Sequence, residues 1–166
     1  MKIGILTFHR SYNYGAFMQC FSFFHRLSKD FPDCDIEVVD FTNQNVMKMY
    51  ETDIEKKQKS VRKLISIRNS TFIKCQEELK LSKVKIVSNS YDEIAKYLND
   101  TYDVVVVGSD AVWNWTTRGF PNIYFLKDYH GRKLSYAASA HGLVYQNMSE
   151  SQKQYLNEAF SIPLDK

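Results

Sequence analysis

Only three cysteines, Cys20, Cys34 and Cys75, occur in this 166-residue chain. An odd number, widely spaced and without metal-ligand spacing, argues against a disulfide framework or a metal site and points to reduced thiols in a cytoplasmic protein. Long apolar runs are missing as well. The longest aliphatic stretch, Val104 to Val107, is far short of the roughly 20 residues that a membrane span requires, so no transmembrane segment is expected. The apolar opening Ile3-Gly4-Ile5-Leu6 gives way to His9-Arg10 without a small-residue cleavage site, and it reads as a first strand rather than a signal peptide. Neither Gly-x-Gly-x-x-Gly nor Gly-x-x-x-x-Gly-Lys-Ser/Thr occurs, which disfavours a nucleotide-dependent dehydrogenase or an NTPase. No serine hydrolase order with a nucleophile elbow is visible either. No metal and no cofactor are expected.

What is present is a globular composition. Hydrophobic residues make up 44% of the chain, with 11 Tyr and 11 Phe, too many for a disordered segment. A chain of this size buries roughly 70% of its unfolded surface, enough for one self-sufficient domain over residues 1–166. The organising stretch is Asp103 to Asp110, in which four valines lead into Gly108-Ser109-Asp110. Consecutive β-branched residues bounded by polar ones predict a strand buried on both faces, in the middle of a parallel sheet. Open α/β sheets bind ligands beyond the carboxyl ends of their strands, which places Ser109 and Asp110 where chemistry is expected. The plainer alternative is that one of them caps the next helix.

Around that strand the chain alternates. Lys2 to Phe8 predicts a strand, and Phe17, Cys20, Phe21, Phe24 and Leu27 mark one face of a helix over residues 14–28. Asp35 to Phe41 predicts a second strand, parallel to the first. Ser90 with Glu93, and Ser149 with Gln152, form capping-box patterns opening two further helices, the second stopping near Pro163. Lys133 to Ser139 predicts another strand. The expected fold is α/β and Rossmann-like: a mostly parallel sheet of about five strands with helices on both faces.

Residues 48–85 stand apart. They carry 11 Lys and Arg against five acids, a net of +6 in a chain whose total is +3. Their sparse apolar residues predict one or two peripheral helices, a basic helical excursion from the core. Such a face can attract phosphates; because the aromatics of a base-stacking platform are lacking, no nucleic-acid partner is expected. An anionic membrane surface suits it better.

Three loops fall at strand ends: His9 to Gly15, Gly108 to Trp115, and Ser139 to Gly142. Together they carry a resemblance. Ile3 to His9 with Asn13-Tyr14-Gly15-Ala16 and Gln19, then Gly108-Ser109-Asp110 with Trp113-Asn114, then Ser135-Tyr136-Ala137-Ala138-Ser139 and Gly142, resemble the amino-terminal half of the polysaccharide pyruvyl transferases. Two departures stand out: Ala111, where the family usually has glutamine, and His141, where it has an apolar residue.

The resemblance implies an enzyme that moves the pyruvyl unit of phosphoenolpyruvate, a donor substrate and not a cofactor, onto a sugar of a cell-surface glycan precursor as a ketal. It implies half of a two-domain architecture like that of GT-B glycosyltransferases, with the family's carboxyl-terminal domain expected outside this chain or on a second chain. By that analogy Asn13 and Gly15 line the cleft, Ser109 and Asp110 contact or polarise a sugar hydroxyl, and Trp113 packs on a sugar face or in the core. Ser139 completes the rim, and His9, Arg10 and His141 are the nearby cationic candidates. The acceptor is expected to be a glycan or lipid-linked sugar, met in the cytoplasm or at the inner membrane face. The other reading is a truncated or stand-alone domain that binds a glycan or a partner without catalysis.

Overall fold

The computed structural model describes residues 1–161, leaving aside the side chains of residues 51–53 and 117–118. A four-stranded parallel sheet has the order β2-β1-β5-β6, with β1 at Lys2–Leu6, β2 at Asp35–Val38, β5 at Val104–Val107 and β6 at Arg132–Ser135. The valine strand β5 is interior, pairing Ile3 to Val104 on one side and Val104 to Arg132 on the other. A smaller parallel pair joins β3 (Phe41–Thr42) to β4 (Ile86–Val87).

The alternation of side chains along the strands divides the core in two. Ile3, Ile5, Val104 and Val106 pack with Phe17, Cys20 and Phe24 of α1 (Tyr14–Asp30) and with Phe72 of α3 (Lys59–Gln76). Leu6, Val105 and Val107 face the other way, onto Ile94, Ala95 and Leu98 of α4 (Tyr91–Thr101) and the 3-10 turn Ile123–Phe125. Both faces of the sheet are therefore covered. Burial of Cys20 pushes its thiol up to about 12, so it packs as a small apolar group rather than a reactive one.

The chain departs from expectation at three boundaries. The second strand ends at Val38, and Phe41–Thr42 belongs to the smaller sheet. The apolar run from Ile36 to Phe41 hides the switch because both parts are buried. Next, β6 stops at Ser135, since Ala137 takes a positive φ of 49° that no strand continues through. Finally, only half of the first capping box forms. Ser90 accepts the Glu93 amide at 3.3 Å, but the Glu93 carboxylate takes the Ser88 hydroxyl, and that hydroxyl oxygen receives the Ser90 amide. The second box, at the start of the helix Glu150–Phe160, forms completely. Pro163, the expected stop of that helix, lies outside the described residues.

The basic excursion is a helical pair, α2 (Gln44–Glu55) and α3. At the outer border of the main sheet all four residues of β6 are exposed.

Candidate functional site

The carboxyl ends of β1, β5 and β6 are tied together by short links. The Thr7 hydroxyl donates to the Ser109 carbonyl at 3.2 Å. Asp110 bridges to Ala138, with the Ser139 amide donating to the Asp110 carbonyl at 2.9 Å and the Trp113 amide to the Ser139 carbonyl at 3.1 Å. The loops after β5 and β6 thus form one connected rim.

That rim concentrates unusual backbone. Among the described residues four non-glycines have positive φ, and three of them, Asp110 (83°), Ala137 (49°) and His141 (43°), lie here. Such conformations cost of order 1–3 kcal/mol each and gather at functional sites. Gly108, at φ 112°, is required for a different reason: a Cβ there would stand 2.3 Å from the Tyr136 carbonyl oxygen of the adjoining loop. Gly108→Ala is expected to destabilise the protein by about 3 kcal/mol, on the order of 10 °C in melting temperature. Thermal melts followed by circular dichroism check this; a change under about 2 °C would mean the two loops are not pressed together.

An open hollow of about 1060 Å³ lies between α1 and this rim, walled by Met18, Gln19, Ser22, Phe23 and Arg26 with Ser109, Tyr136 and Ala137. Tyr136 stacks on Phe23 with centroids 4.5 Å apart, closing one end. Ser109 is buried beneath the rim, while the Asp110 side chain is half-buried and accepts the Ala111 amide at 2.6 Å through Oδ1. Asn13, Gly15, Asp110 and Ser139 are not among the walls of this hollow. Asn13 is the cap of α1, accepting the Ala16 amide at 3.1 Å, and Gly15 is exposed in the first turn. Ser139 and His141 are exposed on the β6 loop, and the His141 carbonyl accepts from the Asn114 side chain. Trp113 is half-buried and packs against the core. Its ring stacks on Phe125 at 5.8 Å and its indole N–H donates to the Tyr124 carbonyl at 3.0 Å.

His9 and Arg10 lead to a second centre. His9 is fully buried, and its Nε2 donates to the Asp40 carboxylate at 3.1 Å. Arg10 grips the same carboxylate through Nε at 2.5 Å and Nη2 at 2.6 Å, while its Nη1 reaches Gln76 at 3.2 Å. The Gln76 side chain in turn donates to the His9 carbonyl at 3.1 Å. Burial alone would raise the Asp40 carboxyl, but the bonds from His9 and Arg10 outweigh it and hold the group well below the usual carboxylate range. Beside this network is a depression of about 350 Å³ lined by Arg10, Ser11, Thr42, Asn43, Tyr50 and Tyr124 among others. The buried Thr42 hydroxyl has no hydrogen-bond partner among the described residues.

Sequence reasoning missed Asp40, Gln76 and Thr42 in this centre, and Ser22 and Arg26 in the hollow. Asp40 closes a predicted strand and carries no motif; its partners lie 31 and 30 residues away. Ser22 and Arg26 could have been found from helical spacing, because they sit three and seven residues beyond Gln19 on α1.

A mostly parallel α/β sheet with helices on both sides, its strand-end loops carrying left-handed residues beside an open hollow, has the architecture of the Rossmann-like class. The sequence model of the polysaccharide pyruvyl transferases matches residues 13–162, and the chain belongs to that family. A comparison with curated proteins yields no match.

Proposed function

We propose that the chain is the acceptor-side domain of a pyruvyltransferase that makes a pyruvate ketal on a cell-surface polysaccharide precursor, with phosphoenolpyruvate as donor. In that reaction the donor methylene takes a proton and becomes a methyl group, and a sugar hydroxyl adds to the neighbouring carbon. The carbon–oxygen bond to phosphate breaks and a second hydroxyl closes the ketal. Of the two protons shed by the hydroxyls, one balances the proton gained at the methylene and the other leaves with phosphate.

The observation that carries this reading is Asp110, a left-handed residue holding a half-buried carboxylate at the end of the interior strand in a chain of this family. A carboxylate fixed there can accept the proton of an attacking hydroxyl. Ser109 supports the acceptor from below, Gln19 and Ser22 offer it hydrogen bonds from α1, and Asn13, Gly15 and Ser139 border the approach. His141 stands exposed on the rim, while Arg10 and His9 act through Asp40. The donor carries a carboxylate and a phosphate, which need several fixed cations in a closed cleft. Arg10 is already committed to Asp40 and Arg26 pairs with Asp30 on its own helix. The donor clamp therefore belongs to a second Rossmann-like domain facing this one, in the manner of GT-B enzymes. The acceptor is a glycan or lipid-linked sugar, met in the cytoplasm at the inner membrane face.

The test is phosphate release from phosphoenolpyruvate that depends on a glycan acceptor. Expected is no turnover by the 166-residue chain alone and turnover when the family's carboxyl-terminal half is supplied as a separate polypeptide. Turnover by the chain alone that is lost in Asp110→Ala would make it a complete enzyme. Glycan binding without turnover under either condition would make it a binding domain.

A further inference from the structure

The helix α3 exposes large aliphatic side chains to solvent. From Lys59 to Thr71 every residue is exposed except Ile65 and Asn69, which are half-buried. The inward side runs through Ile65, Asn69, Phe72 and Gln76, with Phe72 and Gln76 in the core. The opposite side, at helical spacing, presents Ser60, Lys63, Leu64, Ile67, Ser70, Thr71 and Lys74. On it Leu64 is 67% and Ile67 55% exposed, so two adjacent aliphatics face outward together.

Three further observations bear on what covers them. Residues 56–76 contain seven Lys and Arg (56, 57, 59, 62, 63, 68 and 74) and no Asp or Glu. Two hydroxyls on this side bond back to the helix's own carbonyls: that of Ser70 donates to the Ser66 carbonyl at 2.9 Å and that of Thr71 to the Ile67 carbonyl at 3.0 Å. These two hydroxyl donors can therefore leave water without being orphaned. Phe72, the one aromatic of the helix, is buried, so nothing is offered for base stacking. A cationic helix with outward aliphatics is complementary to an anionic, partly apolar plane.

We propose that the outward side of α3 docks this domain on an anionic lipid bilayer, with Leu64 and Ile67 entering the headgroup boundary and the flanking lysines meeting lipid phosphates. The idea deepens the reading of a lipid-linked acceptor, since a docked domain meets its substrate in two dimensions. It is tested without donor or acceptor, so it stands or falls separately from the chemistry.

The experiment is cosedimentation of the purified chain with phosphatidylglycerol–phosphatidylcholine vesicles and with pure phosphatidylcholine vesicles. Expected is binding to the anionic vesicles alone, weakened by salt. Because a basic residue near such a surface contributes about 1 kcal/mol, the double substitution Lys63→Glu and Lys74→Glu should weaken binding at least tenfold. Leu64→Ser with Ile67→Ser, which keeps every charge, should also weaken it by about tenfold. These positions are exposed, and an unchanged melting temperature verifies folding. Equal binding to both vesicle types, no binding to either, or full binding by the Leu64/Ile67 variant would overturn the proposal. So would tighter binding to duplex DNA or to an acidic polypeptide than to the anionic vesicles.

Discussion

Asp110→Asn in the assembled transferase is expected to lower kcat by about 100-fold to 10,000-fold, the range over which general base catalysis contributes. The substitution isolates the charge. Asparagine tolerates the left-handed conformation that φ of 83° demands, and its carbonyl oxygen can still accept the Ala111 amide. The rim should therefore survive, and the melting temperature should move by no more than about 2 °C. What disappears is the group able to take a proton from an attacking hydroxyl. Steady-state kinetics with varied acceptor separate the possibilities: a fall in kcat assigns the chemistry to Asp110, whereas a rise in KM at constant kcat reduces it to a binding group. An unchanged kcat/KM would remove Asp110 from the site altogether.

A second large effect is expected at Asp40, and it concerns stability rather than rate. Its carboxylate neutralises Arg10 and receives His9, which has no access to solvent. Asp40→Ala strands both groups, and breaking a buried pair in this way costs about 3–5 kcal/mol, on the order of 10 °C in melting temperature. Asp40→Asn retains an acceptor and should lose less. The acid limb gives an independent check. The folded carboxyl titrates below its ordinary value of 3.8, so its contribution is complete above that pH and fades as the pH falls through the folded value. Urea denaturation at neutral pH and at steps down to about pH 3 should show the wild-type protein beginning to lose this increment below its ordinary value of 3.8, with the alanine variant flatter over the same range. A loss below about 1 kcal/mol at neutral pH would mean that the network contributes little.

Much of the scaffold could be read from local pattern. Four valines between Asp103 and Gly108 leave little choice but a strand covered on both sides, and the spacing of Phe17, Cys20 and Phe24 fixes the inward side of α1. Asn13, Ser90 and Ser149 announce helix starts because capping chemistry acts over three residues. What escaped is long-range or backbone-determined. That Val38 and Phe41 lie in different sheets depends on β4, more than 40 residues later in the chain. In sequence His9 and Arg10 are cationic candidates with a structural role as the plainer reading; only the fold brings Asp40 between them. Trp113 has two readings in sequence, a sugar platform or a core residue, and the ring it stacks on, Phe125, lies twelve positions on. The pressed contact of Gly108 on Tyr136 has no sequence signal beyond the glycine itself.

The exposed strand β6 leaves a row of backbone amides and carbonyls pointing away from β5 at the border of the main sheet. Such a border is a template on which any extended chain can add, including another copy of the same protein. Here Arg132 and Lys133 occupy consecutive positions, one directed to each face of the sheet. Two copies approaching border to border would bring like charges together on both faces before their amides could pair, which resists fibre-like self-association. A strand of different sequence, carrying acids at the matching register, would meet attraction instead. The border is thus guarded against its own kind while staying open to an unlike neighbour.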